Sequence, residues 1–101
     1  MKIPQNIKIG WRNYSVKKIE GLVDENNEVL LGETDLTNHT IVLNKNVMDE
    51  NEKMVTLFHE IFHCIFHGQS HMEWRDNEEL VSAIAEGLFQ LYKDNPKMFN
   101  G

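Results

Sequence analysis

The apolar positions change period once along the chain, near Asn44. Before it, apolar and polar residues alternate over short stretches, the spacing of half-buried strands. Ile3, Ile7 and Ile9 mark a first strand over Ile3–Ile9, with Pro4 near its front. Gly10-Trp11-Arg12-Asn13 is a turn candidate, and Tyr14–Glu20 a second strand with Tyr14 and Val16 on one face, so a hairpin is expected. A polar loop, Asp24–Glu28, leads to a third strand over Val29–Asp35, weakened or bulged at Gly32. Leu36-Thr37-Asn38-His39 turns the chain into the clearest strand, Thr40–Asn44, rich in β-branched residues.

After Asp49 the period becomes helical. Asp49 and Glu52 form a capping-box pattern at the start of a helix that runs to about His67, with Gly68 placed to end it. Met54, Phe58, Ile61, Phe62 and Ile65 share one face, and His59 and His63 lie on its flank. Gln69–Asn77 reads as a polar connection. A second helix runs from near Asn77 to about Asp94, where Asn95-Pro96 stops it. Its apolar face is Val81, Ile84, Ala85, Leu88, Leu91 and Tyr92. An antiparallel pairing of the two helices would bring the start of the second toward the histidines of the first. The predicted class is α+β: a small, mainly antiparallel sheet of about four strands, packed on the histidine-bearing helix and a second C-terminal helix.

Composition narrows the setting. The chain has 101 residues, the size of one domain, and one modest core is all it can bury. Its net charge of −6 gives no electrostatic case for binding nucleic acid or an anionic membrane. No apolar run approaches a membrane span, and the Met1-Lys2-Ile3-Pro4 start has no signal-peptide core. One cysteine, Cys64, excludes an intrachain disulfide, so a cytoplasmic setting is expected, with Cys64 a small buried hydrophobe.

The candidate chemistry is His59-Glu60-Ile61-Phe62-His63, an H-E-x-x-H on a helix. A spacing of four puts both imidazoles on one side, one turn apart, where they can share an ion. Glu60 can then reach a water on that ion without taking a coordination position, which is the mechanical content of the zinc-peptidase motif. Catalytic Zn2+ usually takes three protein ligands and leaves one position for water. A third histidine two turns on fails, because Gln69 and Phe66 stand where that pattern needs His and Gly. His67 lies about 12 Å along the helix from His59, too far for bonds of about 2 Å, and reads as a helix-end cation. Carboxylates opening the second helix remain. Glu78 shares a side with Val81, Ser82 and Ala85 and leans toward the first helix, whereas Glu79 aligns with a more solvated side. Glu78 is the favoured third ligand and Glu79 the alternate. His71 and Tyr14 are the candidates for a second oxyanion donor.

The segments L-G-E-T-D and T-I-V-L-N, then F-H-E-I-F-H-C-I-F-H-G, then N-E-E-L-V-S-A-I-A-E-G-L-F-Q-L-Y-K-D-N, resemble the ImmA/IrrE-type gluzincins of phages and bacteria in compact form. The resemblance spans Ile7–Asn95. It implies a small sheet packed on the H-E-x-x-H helix, with His59 and His63 as zinc ligands, Glu60 as catalytic acid/base, and an acidic ligand from the second helix. The Ala-Asn that follows the family's acids is replaced by Leu80-Val81-Ser82, so both Glu78 and Glu79 stay open as that ligand. Larger relatives of this type cleave regulatory proteins such as phage repressors. Two functions are therefore weighed. One is a zinc-dependent peptidase acting on an intracellular protein of phage or mobile-element regulatory type, with zinc-bound water activated by Glu60. The other is a non-catalytic, zinc-stabilised protein-interaction domain.

Overall fold

The computed structural model describes residues 2–100. Four strands come first: β1 (Asn6–Ile9), β2 (Arg12–Ile19), β3 (Gly32–Asp35) and β4 (Thr40–Asn44). Four helices follow: α1 (Glu50–Gly68), α2 (Met72–Arg75), α3 (Glu78–Asp94) and α4 (Pro96–Phe99). The fold is α+β, as the change of period predicts. Among the described residues no helix is long and apolar enough to cross a membrane.

The sheet order is β1-β2-β4-β3. The outer pairs, β1 with β2 and β3 with β4, are antiparallel, and the central pair, β2 with β4, is parallel. Ile9 pairs with Arg12, so the first hairpin turns on Gly10-Trp11 alone. Gly10 takes φ +64, the conformation that the first central residue of a tight hairpin turn requires. The second strand consequently starts two residues earlier than its apolar pattern suggests. The third strand is shorter than expected. Val29 bridges back to Val23 across a turn in which the Asp24 carboxylate accepts the backbone N–H groups of Asn26 and Glu28. Only Gly32–Asp35 is left to pair with β4, in regular register and without a bulge at Gly32. The second hairpin is closed by the Asp35 carboxylate, which accepts from the backbone of Thr37 and Asn38 at 3.0 Å each and from the Asn38 side chain.

α1 lies between the sheet and α3, and this sets which of its faces is deepest. The core joins Tyr14, Ile41 and Leu43 of the sheet to Met54, Leu57 and Cys64 of α1 and Phe89 of α3. Phe58 and Ile61 pack at its margin, while Phe62 and Ile65 are only half-buried. The buried line thus runs through Leu57, Glu60 and Cys64, about one residue round from the predicted stripe. A helix packed on two sides has no single apolar face for the pattern to report. Val81 and Ala85 are fully buried on α3, which packs along α1.

The caps behave as local chemistry dictates. The Asp49 side chain accepts from Glu52 N, and the Asn77 side chain from Leu80 N, each at 3.0 Å. At the other end of α1, Gly68 is still helical and Ser70, with φ +61, takes the left-handed position. The Ser70 and His71 N–H groups donate to His67 O and Phe66 O, closing the helix end. A Cβ at Gly68 would lie 3.3 Å from Arg12 Nη1, a tight contact that the flexible arginine could relieve by a small shift. The polar connection after it contains the single turn α2, anchored by Trp74, which packs edge-on against Phe66 and is stacked on by His71 at 3.8 Å.

Candidate metal centre

His59 and His63 leave α1 one turn apart and meet Glu78, the first residue of α3. His59 Nε2 is 3.0 Å from Glu78 Oε2, His63 Nε2 is 3.1 Å from Glu78 Oε1, and the two Nε2 atoms are 3.1 Å apart. Each residue offers one ligand atom to the group. Glu79, about 100° further round the helix, is exposed and outside it.

The outer nitrogen of each ring is also held, which fixes what the inner one presents. His63 Nδ1 is 2.6 Å from the carbonyl oxygen of Arg75, a group that can only accept. Nδ1 therefore carries the hydrogen, and Nε2 turns a lone pair inward. His59 Nδ1 is 3.3 Å from the Ser82 hydroxyl, which can accept from it in the same way. With a hydrogen on each Nδ1, the two neutral rings would turn their Nε2 lone pairs and the Glu78 carboxylate toward one point, a donor set that could hold a metal ion with its outer hydrogen bonds in place. The spacing fits as well: donors about 2.0 Å from a tetrahedral ion stand roughly 3.3 Å apart.

Glu60 points elsewhere. One residue past His59, it faces β3 rather than α3, and only 7% of it is exposed. Thr34 on β3 donates its hydroxyl hydrogen to Glu60 Oε1 at 2.8 Å. Burial pushes the Glu60 carboxyl up from its ordinary range, with the Thr34 hydrogen bond and both histidines pulling the other way. A cleft of about 660 Å³ opens over these groups, lined by β3 from Gly32 to Thr34, by His59, Glu60, His63 and Glu78, and by Arg75 and Asp76 at its mouth. A smaller cavity of about 270 Å³ shares Gly32, His59 and Glu60 and extends past Ser82 on the other side.

Several sequence expectations need correction. His67 is not a free helix-end cation: its Nδ1 is 3.0 Å from Arg75 Nη1, and burial, followed by the nearby Arg75 and Arg12 charges, holds its pKa down. Tyr14 cannot reach the cleft, because it is 1% exposed in the core beneath Cys64. His71 stacks on Trp74 and does not line the cleft. The Arg75 guanidinium is engaged in a two-point pair with Asp76 as well as with His67. Three supporting groups escape the sequence reading: Ser82, Thr34 and the Arg75 carbonyl. Ser82 follows Glu78 by four on one helix face, a signal that was present. Thr34 is a hydroxyl on the inward face of a strand, a weaker signal. A backbone carbonyl carries none.

No curated protein and no solved structure matches the chain significantly. Residues 12–86, which hold β2 through most of α3 and every residue of the metal group, match the peptidase family described as the IrrE N-terminal-like domain, and the chain belongs to that family.

Proposed function

We propose that the protein is a zinc-dependent peptidase that hydrolyses a peptide bond in a protein substrate, of the regulatory type found in phages and mobile elements. The observation that carries this reading is the convergence of His59, His63 and Glu78 beside a nearly buried glutamate on the wall of one cleft. A zinc ion held by these three residues would polarise the scissile carbonyl and acidify the attacking water. Glu60 takes the proton from that water and returns it to the leaving amine. Arg75 O and Ser82 Oγ keep the two imidazoles turned so that both Nε2 lone pairs face the same point. β3 is an edge strand, paired only with β4, and it forms one wall of the cleft. An extended substrate segment can add to its open edge and so lie across Glu60.

A zinc site that only stabilised the fold would have no use for Glu60. Burying a carboxylate costs several kcal/mol unless its partners offset it. Glu60→Gln should keep zinc and fold at least as stably as the parent, while hydrolysis of a cleaved peptide falls roughly a hundred- to ten-thousandfold. Peptide-library cleavage by zinc-loaded protein, with this variant alongside, makes the test. Hydrolysis undiminished in Glu60→Gln would overturn the role of Glu60. Stoichiometric zinc with no cleavage of any peptide would favour the interaction domain.

A further inference from the structure

Glu60 is held from the sheet as well as from its own helix. The Thr34 hydroxyl meets Oε1 at 2.8 Å. Gly32 lies two residues back on the same face of β3, where a Cβ would stand 3.3 Å from Glu60 Oε2 and 2.7 Å from Thr56 Cγ2. One carboxylate oxygen is therefore pinned, and the other looks onto bare backbone beside the cleft. Thr34 has only one hydrogen to give. Its other neighbour is the buried thiol of Cys64, a far weaker acceptor than a carboxylate. The hydrogen is directed at Glu60.

We infer that Thr34 is a positioning residue for proton transfer by Glu60, an inference that rests on the peptidase reading above. The hydroxyl fixes the carboxylate's rotation, occupies Oε1, and leaves Oε2 aimed into the cleft for water. Gly32 keeps that side clear. A buried carboxylate without this bond would rotate among several poses, only some of which meet the substrate. The alternative is that the Thr34 hydroxyl is merely a satisfied polar group at the edge of the core.

Two variants separate these. Thr34→Val keeps the shape and removes the hydroxyl, and Thr34→Ser keeps the hydroxyl. Both should bind zinc in the parental ratio. With a peptide that the parent cleaves in a Glu60-dependent manner, Thr34→Val should lower kcat roughly tenfold or more. KM should stay within about twofold, since ground-state binding is untouched. Thr34→Ser should restore kcat, and Thr34→Val should add nothing in a Glu60→Gln background. A second readout needs no turnover. In metal-free parent protein the Thr34 hydroxyl proton should exchange slowly and show a nuclear Overhauser contact to the Glu60 side chain. That contact should persist in Thr34→Ser. Parental kcat in Thr34→Val, equal losses in the Val and Ser variants, or a freely exchanging Thr34 hydroxyl would each overturn the inference. If the parent cleaves no peptide, the peptidase reading fails separately, and the hydroxyl proton still decides whether Thr34 sets the pose of Glu60. The same measurement serves if Thr34→Val does not fold.

Discussion

The Tyr14 hydroxyl is, among the described residues, the one buried side-chain oxygen or nitrogen without a hydrogen-bond partner. The Cys64 thiol beside it is a weak substitute. An unsatisfied hydroxyl contributes nothing that a phenyl ring would not, so Tyr14→Phe should change stability at neutral pH by less than about 1 kcal/mol, or raise it. Burial, and then the neighbouring thiol, push the Tyr14 pKa from 10.0 up to about 12. The fold therefore favours the protonated phenol. That contribution is complete below pH 10.0 and is lost as pH rises through about 12. Urea midpoints measured from pH 9 to 12 should fall less steeply for Tyr14→Phe than for the parent; parallel curves would show that Tyr14 does not titrate with folding. At this scale the sequence is legible where one residue carries its own chemistry. His59, Glu60 and His63 announce themselves by spacing, and Asp49 by capping. The Arg75 carbonyl that orients His63 cannot be read, because every residue has one and only the path of α2 aims it.

β3 crosses α1 closely at Gly32. Gly32 permits this, since a Cβ there would stand 2.7 Å from Cγ2 of Thr56, a β-branched side chain with few rotamers open to it in a helix. Gly32→Ala should destabilise by about 1–3 kcal/mol, the usual cost of overpacking. Thr56→Ser removes the Cγ2 that the new methyl would strike, so the double variant should recover a good part of the loss. Chemical denaturation of the four proteins forms the cycle; additive losses would place the strain elsewhere. The glycine is visible in the sequence, and a bulge is the natural expectation for it. Its reason is a helix 24 positions away in the chain, which strand alternation does not encode. The same limit applies to Val29, which pairs back across the Asp24 turn instead of extending β3. By contrast, Thr40–Asn44 coincides with β4 because its β-branched run and flanking turn are both local.

For the whole molecule, the parallel pairing of β2 with β4 was not legible, because it depends on the β3–β4 hairpin inserting beside β2 rather than on any run of residues. The α-helical half was more legible: a capping box, two amphipathic segments and a short connection leave few ways to pack. The candidate metal group joins what the chain separates, with two candidate ligands on α1, one on α3 and a supporting carbonyl from α2. An ion bound there crosslinks the helices, and free zinc at a thousandfold above its Kd would add about 4 kcal/mol to the folded state. Chelation should accordingly lower Tm by many degrees and leave the sheet-and-helix signature below it intact.

The most direct test is elemental analysis of protein purified without a histidine tag or added metal, for the parent and for His59→Ala, Glu78→Gln and Glu79→Gln. About one zinc per chain is expected in the parent and in Glu79→Gln, and its loss in His59→Ala and Glu78→Gln. Metal retained by Glu78→Gln but lost by Glu79→Gln would contradict the ligand set. A parent without metal that stays folded in chelator would contradict the metal centre itself.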